Sequence, residues 1–360
     1  MKYLFSAMFI LAFNLTAFCQ YTALTGNVTD ASGNPLQGAS VFAQNTTIGT
    51  ATDASGNFKI WLPAGGHDLV ISFTGFNNES VRVNSGDNGR HLTFRLQPKA
   101  KEIADVAVVA TNEVRDGWVK HGAFFVEQFI GRTQNSRDCF IRNPEVLKFY
   151  HYRRSNRLKV IATEPLLIEN RSLGYNIRYD LDSFTHDYKT SVSLYTGAPL
   201  FEEIQTADSS EKIRWDAARR TAYAGSLLHF MRSIYRKDLA RDGFEVQFVM
   251  RNSDKEYAVK LEDFYNSLRY SIDDSTGLVK LDPFQKHVGV IFTKEKPEEN
   301  YNLFNEDEPE AFQFSVVNFT PAEPLYIEQN GYFFEQPDVS LDGYWTWERV
   351  ADLLPYNYQE

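Results

Sequence analysis

Cysteine is scarce in this chain. Its 360 residues hold two, Cys19 and Cys139, too few for a cysteine-lined zinc cluster. Basic charge is also short. Lys and Arg number 37 against 47 Asp and Glu, a balance that disfavours nucleic acid and anionic lipid surfaces as partners. Histidine numbers seven: His67, His91, His121, His151, His186, His229 and His287. None has Glu three residues on, no two share i,i+4 spacing, and no His-Glu-x-x-His occurs, so the usual metallopeptidase signature is missing. No Gly-x-Ser-x-Gly elbow and no phosphate-binding glycine loop appears. These absences lead us to expect no cofactor, no bound metal and no catalytic residues.

Long apolar runs are missing apart from the N-terminus. Lys2 precedes the run Tyr3 to Phe13, which has the length of a signal-peptide core and falls short of the roughly 20 residues that span a bilayer. Ala17 and Cys19 are the small residues before Gln20, so residues 1–19 read as a signal peptide cleaved after Cys19. Lipidation of Cys19 is the alternative, and the bulky Phe18 argues against it. Cleavage would leave Cys139 alone, with no internal disulfide. The expectation is an exported protein of the periplasm or outer-membrane periphery of a Gram-negative bacterium, with no transmembrane segment in its mature chain.

What is present begins with turns. The hexapeptide TDASGN occurs twice, at Thr29–Asn34 and Thr52–Asn57. Asp and Ser hydrogen-bond the backbone ahead of them, and Gly accepts positive φ. Asp30, Gly33, Asp53 and Gly56 are therefore structural turn residues. Short β-prone runs surround them, about seven between residues 21 and 97, at the spacing of a sandwich. One Asp per turn falls short of the converging oxygens of a calcium loop.

These residues carry a resemblance. Gly26, Val28, Asp30, Gly33, Pro35-Leu36, Gly38-Ala39 and Val41 open the pattern. Gly49-Thr50, Thr52-Asp53, Gly56, Phe58, Leu62-Pro63, Gly65, Ile71-Ser72 and Gly75-Phe76 continue it. The whole is similar to the carboxypeptidase regulatory-like domain. The resemblance implies a transthyretin-like β-sandwich, and it implies no peptidase activity. In exported bacterial proteins this module often precedes something else, including TonB-dependent outer-membrane transporters.

Residues 98–112 read as a linker with a short β run, Ile103–Ala110. The roughly 250 residues beyond it are too few and too helical for a transporter barrel, which needs many alternating strands of about 10 residues. The chain's last residues, Tyr358-Gln359-Glu360, also lack the terminal aromatic of such barrels. Residues 113–360 instead read as an α+β domain, in one piece or two with a break near residue 250. Asn112–Arg132 has helical periodicity. Glu211–Arg241 reads as one long central helix stopped by Asp242-Gly243, with Gly225-Ser226 inside it and its arginines on the wet side. Lys294–Glu310 reads as a polar loop. Residues 118–360 also resemble an uncharacterised region that follows the same module in exported bacterial proteins, and that resemblance implies no activity.

Isolated candidates for chemistry are weak. Cys139 lies beside Phe140 and Ile141, as a buried small hydrophobe does. Glu169-Asn170 and Glu202-Glu203 offer carboxylates, but sequence does not fix the separation a glycosidase needs. Aromatic residues make up 14% of the chain and fit core packing or a binding surface. Trp345 and Trp347 read as alternate positions of one strand, and with Trp61 they are the candidate partner or ligand surface. The expected function is a noncatalytic, envelope-associated docking protein with an envelope protein partner. A carbohydrate-binding accessory protein is the first alternative, and a hydrolase with an unrecognised site is the second.

Overall fold

A computed structural model describes residues 21–99, 112–252, 255–319, 324–334 and 339–360. The expected signal peptide and the expected β run Ile103–Ala110 lie outside them.

The first module has seven strands: β1 (Thr22–Thr29), β2 (Ser40–Ala43), β3 (Gly49–Ala51), β4 (Asn57–Leu62), β5 (His67–Ser72), β6 (Glu79–Val83) and β7 (His91–Arg95). They form two sheets, β4-β1-β7 and β3-β2-β5-β6. Burial alternates residue by residue in β1 and β4, so Leu24, Val28, Phe58, Ile60 and Leu62 enter the space between the sheets. Gly26 lies opposite Phe58 in the register, and a Cβ there would fall on the Phe58 ring and the Leu92 carbonyl. The two TDASGN turns share one geometry. Asp30 Oδ1 accepts from Ser32 N and Asn34 N, as Asp53 Oδ1 does from Ser55 N and Asn57 N. Gly33 and Gly56 hold φ of +88° and +76°.

Helix α1 (Gly117–Phe129) follows, then β8 (Cys139–Ile141), β9 (Leu147–Tyr152), β10 (Arg157–Ala162), β11 (Leu166–Asn170), β12 (Tyr175–Asp187) and β13 (Val192–Glu203). These six strands make one sheet around β12. Its one edge bonds β13 along its whole length, while the other bonds β11 with its first half and β10 with its second. Phe125 and Phe129 of α1 pack edge-on against Phe184 and Tyr179, closing a core on one face of this sheet.

The expected long helix is three: α2 (Ser209–Tyr223), α3 (Leu227–Arg236) and α4 (Leu239–Asp242). Ala224 leaves helical geometry and Gly225 takes φ +77°. The Ser226 hydroxyl then caps α3 by accepting from His229 N. The reason is that two cores meet here. Tyr223 belongs to the first, and Phe230, Met231 and Ile234 to a second. A straight helix cannot turn its apolar stripe toward both. The arginines are not all wet either: Arg219 and Arg232 are buried and donate to the Leu173 and Asn330 carbonyls.

The second core lies within the remaining strands: β14 (Phe244–Asn252), β15 (Lys255–Lys260), β16 (Ser271–Ile272), β17 (Val279–Leu281), β18 (His287–Phe292), β19 (Gln313–Phe319), β20 (Leu325–Ile327) and β21 (Val339–Gly343). They form the sheets β15-β14-β18-β19-β21 and β16-β17-β20. Helices α5 (Phe264–Ser267) and α6 (Glu299–Phe304) punctuate them, so the expected polar loop 294–310 contains a helical turn.

The sandwich is fastened to the rest at several points. Phe42 and Val70 pack on Ala198 and Leu200. Asn45 N donates to Pro199 O, and Phe201 N to Thr46 O. Asn357 hydrogen-bonds both Thr47 N and its side chain.

Candidate functional site

A cleft of about 800 Å³ opens where the β5–β6 turn of the sandwich meets the outer face of the six-stranded sheet. Strand periodicity decides which side chains reach it. On β9 and β10, Phe149, Leu158 and Val160 go to the core under α1. Their neighbours Tyr150, Tyr152, Lys159 and Ile161 line the cleft, with Lys159 opposite Tyr150 in the register. The facing wall is Ser72 to Asn78. Gly75, at φ +87°, turns this segment. Its carbonyl accepts from Lys99 N at 2.9 Å, which ties Lys99 to the rim. Phe73 and Phe76 stand 5.6 Å apart on that wall.

Strand β12 contributes two carboxylates. Asp180 and Asp182 are two positions apart and share the cleft face by ordinary strand alternation. The register with β13 shifts between Leu181 and Ser183, and this bulge changes the phase beyond Asp182, so that Phe184 as well as Leu181 is buried. Asp180 is 5% exposed. Its Oδ2 accepts from Asn78 Nδ2 at 3.4 Å, and Arg178 Nε lies 3.8 Å from Oδ1. Burial raises its carboxyl pKa, opposed by Arg178, the Ser72 hydroxyl, Lys99 and Asn78. Asp182 sits exposed at the mouth. Partial desolvation raises its carboxyl too, helped by the Asp180 charge and opposed by Lys99.

The residues singled out in the sequence fall elsewhere. Asp30, Gly33, Asp53 and Gly56 sit in turns that take no part in the cleft lining. Trp61 is 52% exposed on the outside of β4, with Lys59 Nζ 4.5 Å from its ring centre. Trp345 and Trp347 are not a surface pair. Residues 344–346 form a 3-10 turn and not a strand, and both indoles are buried. Trp345 Nε1 donates to Gly225 O at 2.8 Å, spanning the helix break. Trp347 Nε1 donates to Glu298 at 3.2 Å. Tertiary packing supplies both roles, and local alternation could not reveal them.

The other candidates are occupied structurally. Cys139 is buried, and burial pushes its thiol up to about 12, far from a reactive thiolate. Glu169 is ion-paired with Arg142 and Arg171, and Glu203 with Arg219. Among the described residues no group of three or more His, Cys, Asp or Glu is placed to hold a metal ion, and no helix is long and apolar enough to cross a membrane. Sequence reasoning missed the cleft residues altogether. The signal available was the pair Asp180 and Asp182 inside an apolar strand pattern.

Comparison with known proteins identifies the first module. Residues 24–108 match the model of the CarboxypepD_reg-like domain, and the N-terminal sandwich is such a domain. The TonB-dependent receptor SusC of Bacteroides thetaiotaomicron is 29% identical over 102 residues, 28% of this chain and 10% of the receptor. The TonB-dependent receptor P3 of Formosa agariphila is 26% identical over 109 residues, 30% of this chain and 11% of the receptor. The chain thus spans about a tenth of the length of these relatives. A DUF3823 family protein from Bacteroides ovatus is 12% identical, with 52% of this chain and 83% of that one covered and a TM-score of 0.19, too low to define a shared fold.

Proposed function

We propose that this chain is a noncatalytic, exported binding protein of a Gram-negative envelope, and that it holds its envelope ligand in the cleft between the CarboxypepD_reg-like sandwich and the six-stranded sheet. The observation that carries this reading is the shared construction of the site. Asp180 comes from the sheet, and Asn78 and Ser72, which fix it, come from the sandwich. A site assembled across two modules is a common place for ligands. The kinship of the sandwich to the TonB-dependent receptors supports the envelope setting. The carboxylate geometry favours binding over hydrolysis. Glycoside hydrolysis needs two carboxyl groups on opposite sides of the scissile bond, whereas Asp180 and Asp182 share one strand and one face.

The test places a photo-crosslinking residue at Thr74 or Lys159 on the cleft walls and, as control, at exposed Ile213 outside them. Expected in the native cell is an envelope-fraction adduct from the cleft positions alone. Equal adducts from all three positions, a cytoplasmic location, or turnover of peptide, ester or glycoside substrates would overturn the reading.

A further inference from the structure

We infer that the cleft takes a neutral oligosaccharide, an assignment that rests on the binding reading above. The first ground is the state of Asp180. A carboxylate accepts at about four lone-pair positions, and a buried one is costly unless donors surround it. Here the amide of Asn78 at 3.4 Å is at the long limit of a hydrogen bond, the guanidinium of Arg178 lies 3.8 Å away, and the Ser72 hydroxyl also serves the carboxylate. Asp180 lines the cleft, and the acceptor positions these groups leave suit a ligand rich in hydroxyl donors.

The second ground is charge. Lys99 and Lys159 offset most of the charge of Asp180, Asp182 and Glu164 around the lining, so no strong field selects an ion of either sign. The third is the pairing of rings with polar groups. Phe73, Phe76 and Tyr152 offer half-exposed aromatic surface beside those acceptors, which fits the apolar C–H face and polar rim of a sugar ring. A peptide added as a strand would need a free edge along the cleft. The bordering strand β9 has its edge taken: Val114 N donates to Phe149 O at 2.8 Å, and Glu113 bridges Tyr150.

The experiment is calorimetric titration of the full chain with linear hexasaccharides of glucose, xylose, mannose and galactose, beside neutral and cationic decapeptides. At least one oligosaccharide should bind. Asp180→Asn and Tyr152→Ala should each weaken it about tenfold. Asp182→Asn, at an exposed position, gives a second readout should Asp180→Asn not fold. Failure of every oligosaccharide overturns the inference. Peptide binding that these variants abolish would then leave the binding reading standing, and loss of the cleft-specific envelope adduct would remove both.

Discussion

Gly33 and Gly56 occupy the same place in two copies of one hexapeptide, yet they are not equivalent. Both hold positive φ, where an L side chain is strained. A Cβ at Gly33 would meet open space, whereas one at Gly56 would sit 2.5 Å from the Val28 carbonyl oxygen. Gly33→Ala should therefore cost about 1 kcal/mol and Gly56→Ala about 3 kcal/mol in urea unfolding. Equal losses would refute this difference in surroundings. Asp352 gives a second expectation at this scale. Burial raises its carboxyl from 3.8 to about 6, although Thr133 Oγ1 and Asn135 Nδ2 each donate to it at 2.8 Å. The folded state holds this proton more tightly than the unfolded one. The resulting stability is complete below the ordinary pKa and is lost as pH rises through about 6. Between about pH 4 and about pH 7 the wild type should lose on the order of 2 kcal/mol relative to Asp352→Asn. Parallel pH profiles would exclude this assignment.

At the scale of elements, the break between α2 and α3 joins the two cores. A Cβ at Gly225 would lie 2.5 Å from Gln313 Oε1 and 2.6 Å from the Phe292 ring. Trp345 closes the break from the other side. Gly225→Ala should lose about 3 kcal/mol, and Trp345→Ala about 4 kcal/mol through the cavity it leaves. Trp345→Phe, which keeps most of the ring, should lose about 1 kcal/mol with its hydrogen bond. Thermal unfolding of the three variants decides it, and a wild-type melting curve for Gly225→Ala would mean that α2 and α3 can fuse. The residues that end α4 were readable, since Asp242-Gly243 is a stop signal. The interruption was not. Its apolar positions continue at helical spacing across Gly225, and only the existence of two cores makes a straight stripe unworkable.

At the scale of the whole molecule, the sandwich is clamped to the second core through Glu328. Its carboxylate accepts from Gly66 N at 2.8 Å and ion-pairs with Arg82. The Arg82 guanidinium also lies over the Tyr332 and Phe334 rings at 4.0 and 5.0 Å. Removing Glu328 leaves Gly66 N without its buried acceptor, while Arg82 keeps its ion pair with Asp68. Glu328→Ala should cost about 2 kcal/mol and speed hydrogen exchange along β5 and β6. Glu328→Gln, which keeps an acceptor for Gly66, should cost less. Unchanged exchange in Glu328→Ala would mean that the seam of Phe42, Val70, Ala198 and Leu200 holds the sandwich unaided. This clamp matters for the cleft, because the wall carrying Asn78 reaches Asp180 only while the sandwich stays in place.

Local chemistry accounts for the TDASGN turns, the alternating strands of the sandwich and the stop at Asp242-Gly243. Each depends on residues within one turn or one strand, where side-chain period and backbone preference act directly. Tertiary structure alone decided the helix break at Gly225, the burial of Trp345 and Trp347, and the cleft. Those depend on contacts between residues far apart in the chain. Asp180 and Asn78 stand 102 positions apart, and no local pattern records that one will orient the other.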